Sequence, residues 1–186
     1  MRVITGSARG MKLRTLEGDE VRPTTDMVKE AIFSIIQFEV PGAQVLDLFA
    51  GSGQLGIEAL SRGASGCTFV DKNKASVDTV RENLAHCKLL GNARIDNTDS
   101  LNFLKLTGSK YDIAILDPPY RQGLIEKAMN LIGRVMNEGG TVVCEHEREC
   151  APAEQYGDLK LRKCYRYGKI MLSVYDSTKG DAETEE

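Results

Sequence analysis

Asp47, Asp71, Asp99 and Asp117 stand at or just past the ends of four short apolar runs, and Asp47 is followed by Gly51, Gly53 and Gly56 at G-x-G-x-x-G spacing. Glycines so spaced serve any small cofactor laid across a strand end, because they let the backbone come close. The acids discriminate better. Asp71 suits a ribose in either a nucleotide or an adenosyl sulfonium. Asp47, four residues before Gly51, would face a pyrophosphate with like charge. In a partly desolvated crevice such repulsion amounts to roughly several kcal/mol at an effective dielectric constant of about 20. A carrier with an ammonium and a sulfonium against one carboxylate, and no phosphate, removes the conflict; S-adenosylmethionine is such a carrier. The glycines by themselves also permit a nucleotide cofactor, and with it a nicotinamide oxidoreductase.

The run YDIAILD ends directly in 117-DPPY-120. Proline cannot continue a strand ladder, so the two prolines end the strand at a fixed place. They also leave a carboxylate and a stiff carbonyl side by side. An exocyclic amine on a base is a poor nucleophile because its lone pair is delocalised into the ring. Acceptors aimed at its two N–H groups favour the pyramidal form that attacks a methyl sulfonium. Asp117 and the Pro118 carbonyl are candidates for those acceptors, with Pro119 stiffening the turn and Tyr120 offering a face for an extruded base. This is electrostatic stabilisation combined with orientation.

Elements able to position these residues are legible in the periodicity. QVLDLF, CTFVD, ARID, YDIAILD and GGTVVCEH read as strands, and 54–62, 74–90, 100–106 and 122–136 as helices, with Gly63, Gly91 and Gly108 near their ends. Such alternation makes a mostly parallel, doubly wound α/β sheet. Two runs meeting at Tyr167-Gly168-Lys169 leave no room for a crossover helix, which predicts a C-terminal antiparallel hairpin. Ahead of the alternation, Val28, Ala31, Ile32, Ile35 and Ile36 follow helical spacing after Pro23-Thr24-Thr25. The predicted organisation is a basic arm and helix over 1–40 packed on the core, a core over 41–175, and a disordered acidic tail over 176–186.

Composition sets bounds. A chain of 186 residues, 41% hydrophobic and 27% charged, is one soluble domain by size and content, with no apolar run of membrane-spanning length. The N-terminus lacks a secretory pattern, so a cytoplasmic location with reduced thiols is expected. Five cysteines, with no C-x-x-C pair, suggest neither a disulfide framework nor a metal site; His86-Cys87 and Cys144 with His146 read as helix and strand residues. The net charge of −3 is unevenly spread: residues 1–14 carry Arg2, Arg9, Lys12 and Arg14 and no acid, and residues 176–186 carry five acids against Lys179. A basic arm suits a phosphate-bearing partner.

Taken together, DLFAGSGQLG and DPPY resemble the amino-methyltransferase branch of Rossmann-like S-adenosylmethionine enzymes. More narrowly, 22-RPTTDMVKEAIFSII-36, LFAGSGQLGIEALSRGA, ILDPPY and VVCEH are similar to the RsmD-type bacterial 16S rRNA (guanine-N2)-methyltransferases, over residues 1 to about 175. The resemblance implies a Rossmann-like methyltransferase fold, S-adenosylmethionine as cofactor and no metal. It implies methyl transfer to the 2-amino group of a guanine in small-subunit rRNA, within a ribosomal assembly intermediate, with no membrane and no obligate protein partner. By residue, it implies cofactor contacts from Asp47, Phe49, Gly51, Ser52, Gly53, Asp71, Lys72, Asp99 and Ser100. Asp117, Pro118, Pro119 and Tyr120 would be the catalytic group, and Arg9, Arg22, Thr24 and Arg121 would meet the RNA. Two positions depart from the family pattern, Asp71 where Glu is expected and Gln54 where Ala is, and neither removes a needed chemical group. DPPY is also shared by enzymes acting on DNA adenine, other rRNA bases or protein side chains. A non-catalytic RNA-binding assembly factor would keep the basic arm without needing Asp117.

Overall fold

The computed structural model describes residues 1–16, 26–119 and 123–178. Eight strands form one sheet in the order β3-β2-β1-β4-β5-β8-β7-β6. β1 (Gln44–Asp47), β2 (Gly66–Asp71), β3 (Ala93–Asn97), β4 (Tyr111–Leu116) and β5 (Met136–Glu147) are mutually parallel. β6 (Gln155–Tyr156), β7 (Leu159–Tyr167) and β8 (Ile170–Ser177) are added antiparallel, β8 lying against β5. The chain winds outward from β1 in both directions, so the switch point lies between β1 and β4. Ligands of open α/β sheets sit there, outside the carboxyl ends of the strands.

Alternation along the strands feeds two cores. Val45, Ile113, Ile115, Val143, Leu172 and Val174 face one side, with α1 (Asp26–Ile35), α2 (Gln54–Ser61), α3 (Lys74–His86) and the N-terminal arm. Leu46, Ala114, Leu116, Val142, Cys144 and Tyr175 face the other, under α4 (Ser100–Leu106) and α5 (Leu124–Ile132). Of the apolar positions expected for the first helix, Val28, Ala31, Ile32 and Ile36 are buried and Ile35 is half-buried, with Ile36 just past the helix end; the start expected at Pro23-Thr24-Thr25 lies outside the described residues.

Several boundaries differ from the periodicity. The second predicted helix stops at His86, short of Gly91, because Lys88 takes the left-handed conformation (φ 58°). Leu89 N–H donates to Leu84 O at 2.9 Å and Lys88 N–H to Ala85 O at 3.1 Å, the bonding of a Schellman end. Gly63 ends α2 the same way with φ 98°, as its type suggests. Gly108 has no positive φ; Thr107 is the cap of α4. The fourth helix ends at Ile132, followed by a 3-10 turn at Gly133–Val135, and β5 starts at Met136 opposite Tyr111, several residues before GGTVVCEH. The hairpin forms as expected with Tyr167 paired to Ile170. β8 continues through Ser177, two residues into the stretch read as a tail, while 179–186 lie outside the described residues.

The arm is not simply extended. Arg2 bridges Lys12 antiparallel, with Val3 N–H donating to Met11 O at 2.9 Å and Gly10 N–H to Val3 O at 2.8 Å. It lies over α2, whose residues are consequently all buried, polar ones included. Glu58, 0% exposed, accepts from the N–H groups of Ile4 (2.8 Å) and Thr5 (3.0 Å). Ser61 Oγ accepts from Ala8 N–H at 2.9 Å and donates to Thr5 O at 2.6 Å. Arg62 Nε donates to Glu58 at 2.8 Å, and its guanidinium lies 4.8 Å over the Phe33 ring. Lys29, also fully buried, donates to Arg2 O at 2.5 Å; burial lowers its pKa, opposed by Glu58.

Candidate active site

The glycine loop is set by two carboxylates. Asp71, at the end of β2, accepts from Gly51 N–H at 2.9 Å through Oδ2 and from Asn73 N–H at 2.8 Å through Oδ1. A carboxylate has about four acceptor positions, so two remain for vicinal hydroxyls. Asp47, at the end of β1 and 1% exposed, lies under the loop and accepts from Gly56 N–H at 2.9 Å. Burial pushes its carboxyl up to about 7; the Gly56 N–H opposes this, and repulsion from Asp117 and Asp71 adds to it. Three acids therefore share one field at the switch point, and a cation placed among them would relieve it.

Gly53 holds φ 80° as the residue before α2, a conformation costly for other residues. A Cβ on Gly51 would meet nothing within 4 Å, so the loop leaves room on its outer side. Gly56 has the opposite setting: a Cβ there would lie 2.3 Å from the Phe69 ring and 2.7 Å from Cys67 Sγ. Only hydrogen fits where α2 crosses β2.

Beneath and beside the loop, Ser52 is buried and Phe49 half-buried, the latter packed on the core under α4 and α5. Lys72 is exposed just after β2. Asp99 caps α4, its Oδ1 accepting from Leu101 and Asn102 N–H at 3.0 Å each, and Ser100 is the first residue of that helix. Asp99 is thus the N-cap of α4, two of the helix's orphan N–H groups satisfied by one carboxylate oxygen. Asp117 and Pro118 follow β4 directly, half-buried and buried, with Pro119 exposed. Arg9 is exposed in the arm. Arg22, Thr24, Tyr120 and Arg121 lie outside the described residues.

Other residues matter that the motifs did not single out. Asn83 of α3, 2% exposed, links the arm to the loop: its Nδ2 donates to Arg14 O at 3.0 Å and Ser52 O at 2.9 Å, and its Oδ1 accepts from Arg14 N–H at 2.8 Å. The signal in sequence was a polar residue on the apolar face of a helix. His146, fully buried, has both ring nitrogens engaged, Nδ1 with Glu147 O and Nε2 with Ser173 Oγ, each at 2.8 Å. Burial lowers its pKa, so it packs as a neutral strand residue. Gln54, where the family pattern has Ala, is 7% exposed, and its Oε1 has no hydrogen-bond partner. Among the described residues no group of three or more His, Cys, Asp and Glu is placed to hold a metal, and no helix is long and apolar enough to cross a membrane. A groove of about 540 Å³ opens at the amino-terminal rim of the sheet, bordered by Gln44, Gly66, Arg94 and Tyr111. None of the predicted site residues borders it, and it lies away from the acids that carry chemistry.

Comparison with known proteins agrees with this geometry. YlbH of Bacillus subtilis (strain 168) is 39% identical over 180 residues, covering 94% of this chain and 98% of that one. Ribosomal RNA small subunit methyltransferase D of Escherichia coli (strain K12) is 43% identical over 132 residues, 71% of this chain and 66% of that protein. Among solved structures, yhhF of Escherichia coli superposes with a TM-score of 0.88 at 34% identity, covering 97% of this chain and 99% of that one. The family model described as Conserved hypothetical protein 95 matches residues 1–176. From the glycine loop through the DPP strand end to the terminal hairpin, the chain belongs to this family, the RsmD family.

Proposed function

We propose that this protein transfers the methyl group of S-adenosylmethionine to the 2-amino group of a guanine in small-subunit ribosomal RNA, in the cytoplasm and within an assembly intermediate of the subunit. The observation that carries the reading is the gathering of Asp47, Asp71 and Asp117 at neighbouring strand ends around an open glycine loop at the switch point, where Asp71 and Asp117 both disfavour the charge on buried Asp47. Such a site favours a positively charged ligand without phosphate. When bound, the cofactor supplies an electrophilic methyl on sulfur.

In this reading Asp47, Phe49, Gly51, Ser52 and Gly53 hold the methionyl end and Asp71 with Lys72 the ribose. Asp99 and Ser100 border the adenine. Asp71 performs two tasks, fixing Gly51 and offering its remaining lone pairs. The Asp117 carboxylate and the Pro118 carbonyl accept from the target amine, orient it and favour its pyramidal form. Pro119 limits the freedom of that turn, and Tyr120 stacks on the base. Arg9, Arg22, Thr24 and Arg121 meet the RNA backbone.

The test is incubation with labelled S-adenosylmethionine and small subunits from cells lacking the enzyme, followed by mass mapping of the nucleosides. N2-methylguanine at one site is the expected product. Label appearing only in adenine or protein, or no transfer at all, would end the proposal.

A further inference from the structure

A second charged surface stands at the same rim as the acids. Residues 159–169 contain Lys160, Arg162, Lys163, Arg166 and Lys169 and no acid, in a chain whose net charge is −3. Their positions divide them. Arg162 is consumed internally, ion-paired with Asp176 (2.5 Å) and Glu39 (3.0 Å). Lys160 pairs in register with Asp176, towards the far end of the hairpin. Lys163, Arg166 and Lys169 remain near the tip.

Where the tip lies follows from strand register. β5 is parallel to β4 and runs past Leu116, the partner of Cys144, to Glu147, which pairs with Ile170. The Gly168-Lys169 turn therefore projects at the carboxyl rim, beyond the strand that ends in Asp117. At about 4.8 Å between neighbouring strands, β7 is only on the order of 14 Å from β4 across the sheet. Tyr165 and Tyr167 are half-buried and pack on the core shared with Val3, Ala8 and Leu13 of the arm. The Lys163 ammonium lies 5.1 Å over the Tyr165 ring, and Arg166 Nε donates to Gly168 O at 3.2 Å, which holds the guanidinium at the turn. Glu147, opposite Ile170, is the acid nearest in register, so the tip keeps an excess of positive charge.

We propose that the β7–β8 tip is an RNA-docking surface, in which Lys163, Arg166 and Lys169 contact phosphates flanking the extruded guanine and Tyr165 offers its exposed edge to a neighbouring base. It rests on the rRNA reading above and deepens it. Cations interleaved with aromatic rings suit single-stranded RNA, since phosphates take the charge and any base can lie on a ring. Lys163, Tyr165 and Tyr167 alternate onto the face that packs with the basic arm and Arg166 onto the opposite face, so the tip presents positive charge on both sides of the rim.

The experiment compares the unaltered protein with Lys163→Ala/Arg166→Ala/Lys169→Ala. Methylation kinetics on undermodified small subunits, and anisotropy with a labelled RNA stem-loop, are measured across a salt series, with calorimetry of S-adenosylhomocysteine as control. The expected result is a KM for subunits raised about tenfold at moderate salt, kcat within about twofold and unchanged cofactor affinity. The slope of log affinity for the stem-loop against log salt should fall by about two, as for three lost phosphate contacts on a single strand. Should the triple variant not fold, Lys169→Ala in the turn alone raises KM about two- to threefold. Unchanged KM and salt slope overturn the inference while the functional reading stands. A raised KM on subunits with unchanged stem-loop binding overturns it in favour of a ribosomal protein partner. If the unaltered protein modifies no subunit, the functional reading itself fails and takes this surface with it.

Discussion

Asn83 donates to the carbonyl of Ser52 at 2.9 Å, and through this bond a helix outside the cofactor loop fixes the loop's backbone. The same side chain exchanges two hydrogen bonds with Arg14, at the end of the arm. Asn83→Leu keeps the volume and leaves an N–H and two carbonyls without this partner. A buried group so orphaned costs about 1–3 kcal/mol. The variant should lose about 2–4 kcal/mol in a denaturant melt and bind S-adenosylhomocysteine at least about tenfold more weakly. Unaltered affinity in a folded variant would show that the loop needs no such brace.

Asp47 makes cofactor binding depend on pH. Its carboxyl is raised from the ordinary carboxylate value of 3.8 to about 7, so between those values the folded, ligand-free protein holds a proton that the unfolded chain has released. Through this group, stability is greatest below about pH 4, declines as pH rises to about 7 and then levels off. A cation in the site favours the ionised form and reverses the preference. Calorimetry at pH 6 in buffers of different ionisation enthalpy should therefore show proton release on binding S-adenosylmethionine, and affinity should rise towards pH 8. Asp47→Asn should stabilise the ligand-free protein at pH 8 and abolish both the proton release and the pH dependence.

Asp117 is assigned to the target amine and not to holding the cofactor. Asp117→Ala should lower kcat by at least about 10³-fold, in line with the loss of a pre-organised electrostatic group. Affinity for S-adenosylmethionine should change less than about threefold. A loss of binding as large as the loss of rate would contradict the division of roles.

Two backbone positions test the loop and its surroundings. Gly56→Ala forces a methyl against Phe69 and Cys67 and should cost about 1–3 kcal/mol, the range for overpacking. Lys88→Gly should raise stability by about 1 kcal/mol, because a side chain in the left-handed region is relieved while the helix end keeps its bonds. Chemical denaturation of each variant decides.

Gln54→Met retains length and removes a buried carbonyl oxygen that has no partner. An increase of about 1 kcal/mol in unfolding free energy is expected, with cofactor affinity unchanged. A drop in cofactor affinity would instead make Gln54 a ligand of the site.

The strands, the switch point and the acids were readable because short β-branched runs leave few alternatives and the runs CTFVD and YDIAILD stop on Asp71 and Asp117; the run QVLDLF is two residues longer than its strand, since β1 ends at Asp47 where the glycine loop begins. Helix ends were less legible: Lys88 adopts a conformation its type disfavours, held by bonds to Leu84 and Ala85 that no local pattern announces. The start of β5 was misplaced because Met136 pairs with Tyr111 across an irregular register, a tertiary fact. Most hidden was the setting of the arm. Glu58 and Ser61 look like solvent-facing helix residues until the chain's first residues are seen lying over them. Asn83 reads as no more than a polar residue on an apolar helix face until Arg14 and Ser52, 69 and 31 residues away in sequence, come together on it.

Encasing α2 has a consequence for recognition. Because the basic arm is clamped to the helix that carries the glycine loop, the spacing between Arg9 and the methyl donor is decided when the chain folds. In the proposed function, an RNA docked on Arg9 would meet a gauge of fixed length, with little conformational freedom left to lose on docking. Substrates whose backbone and target base do not match that length would then be rejected by shape, without any contact that reads their sequence.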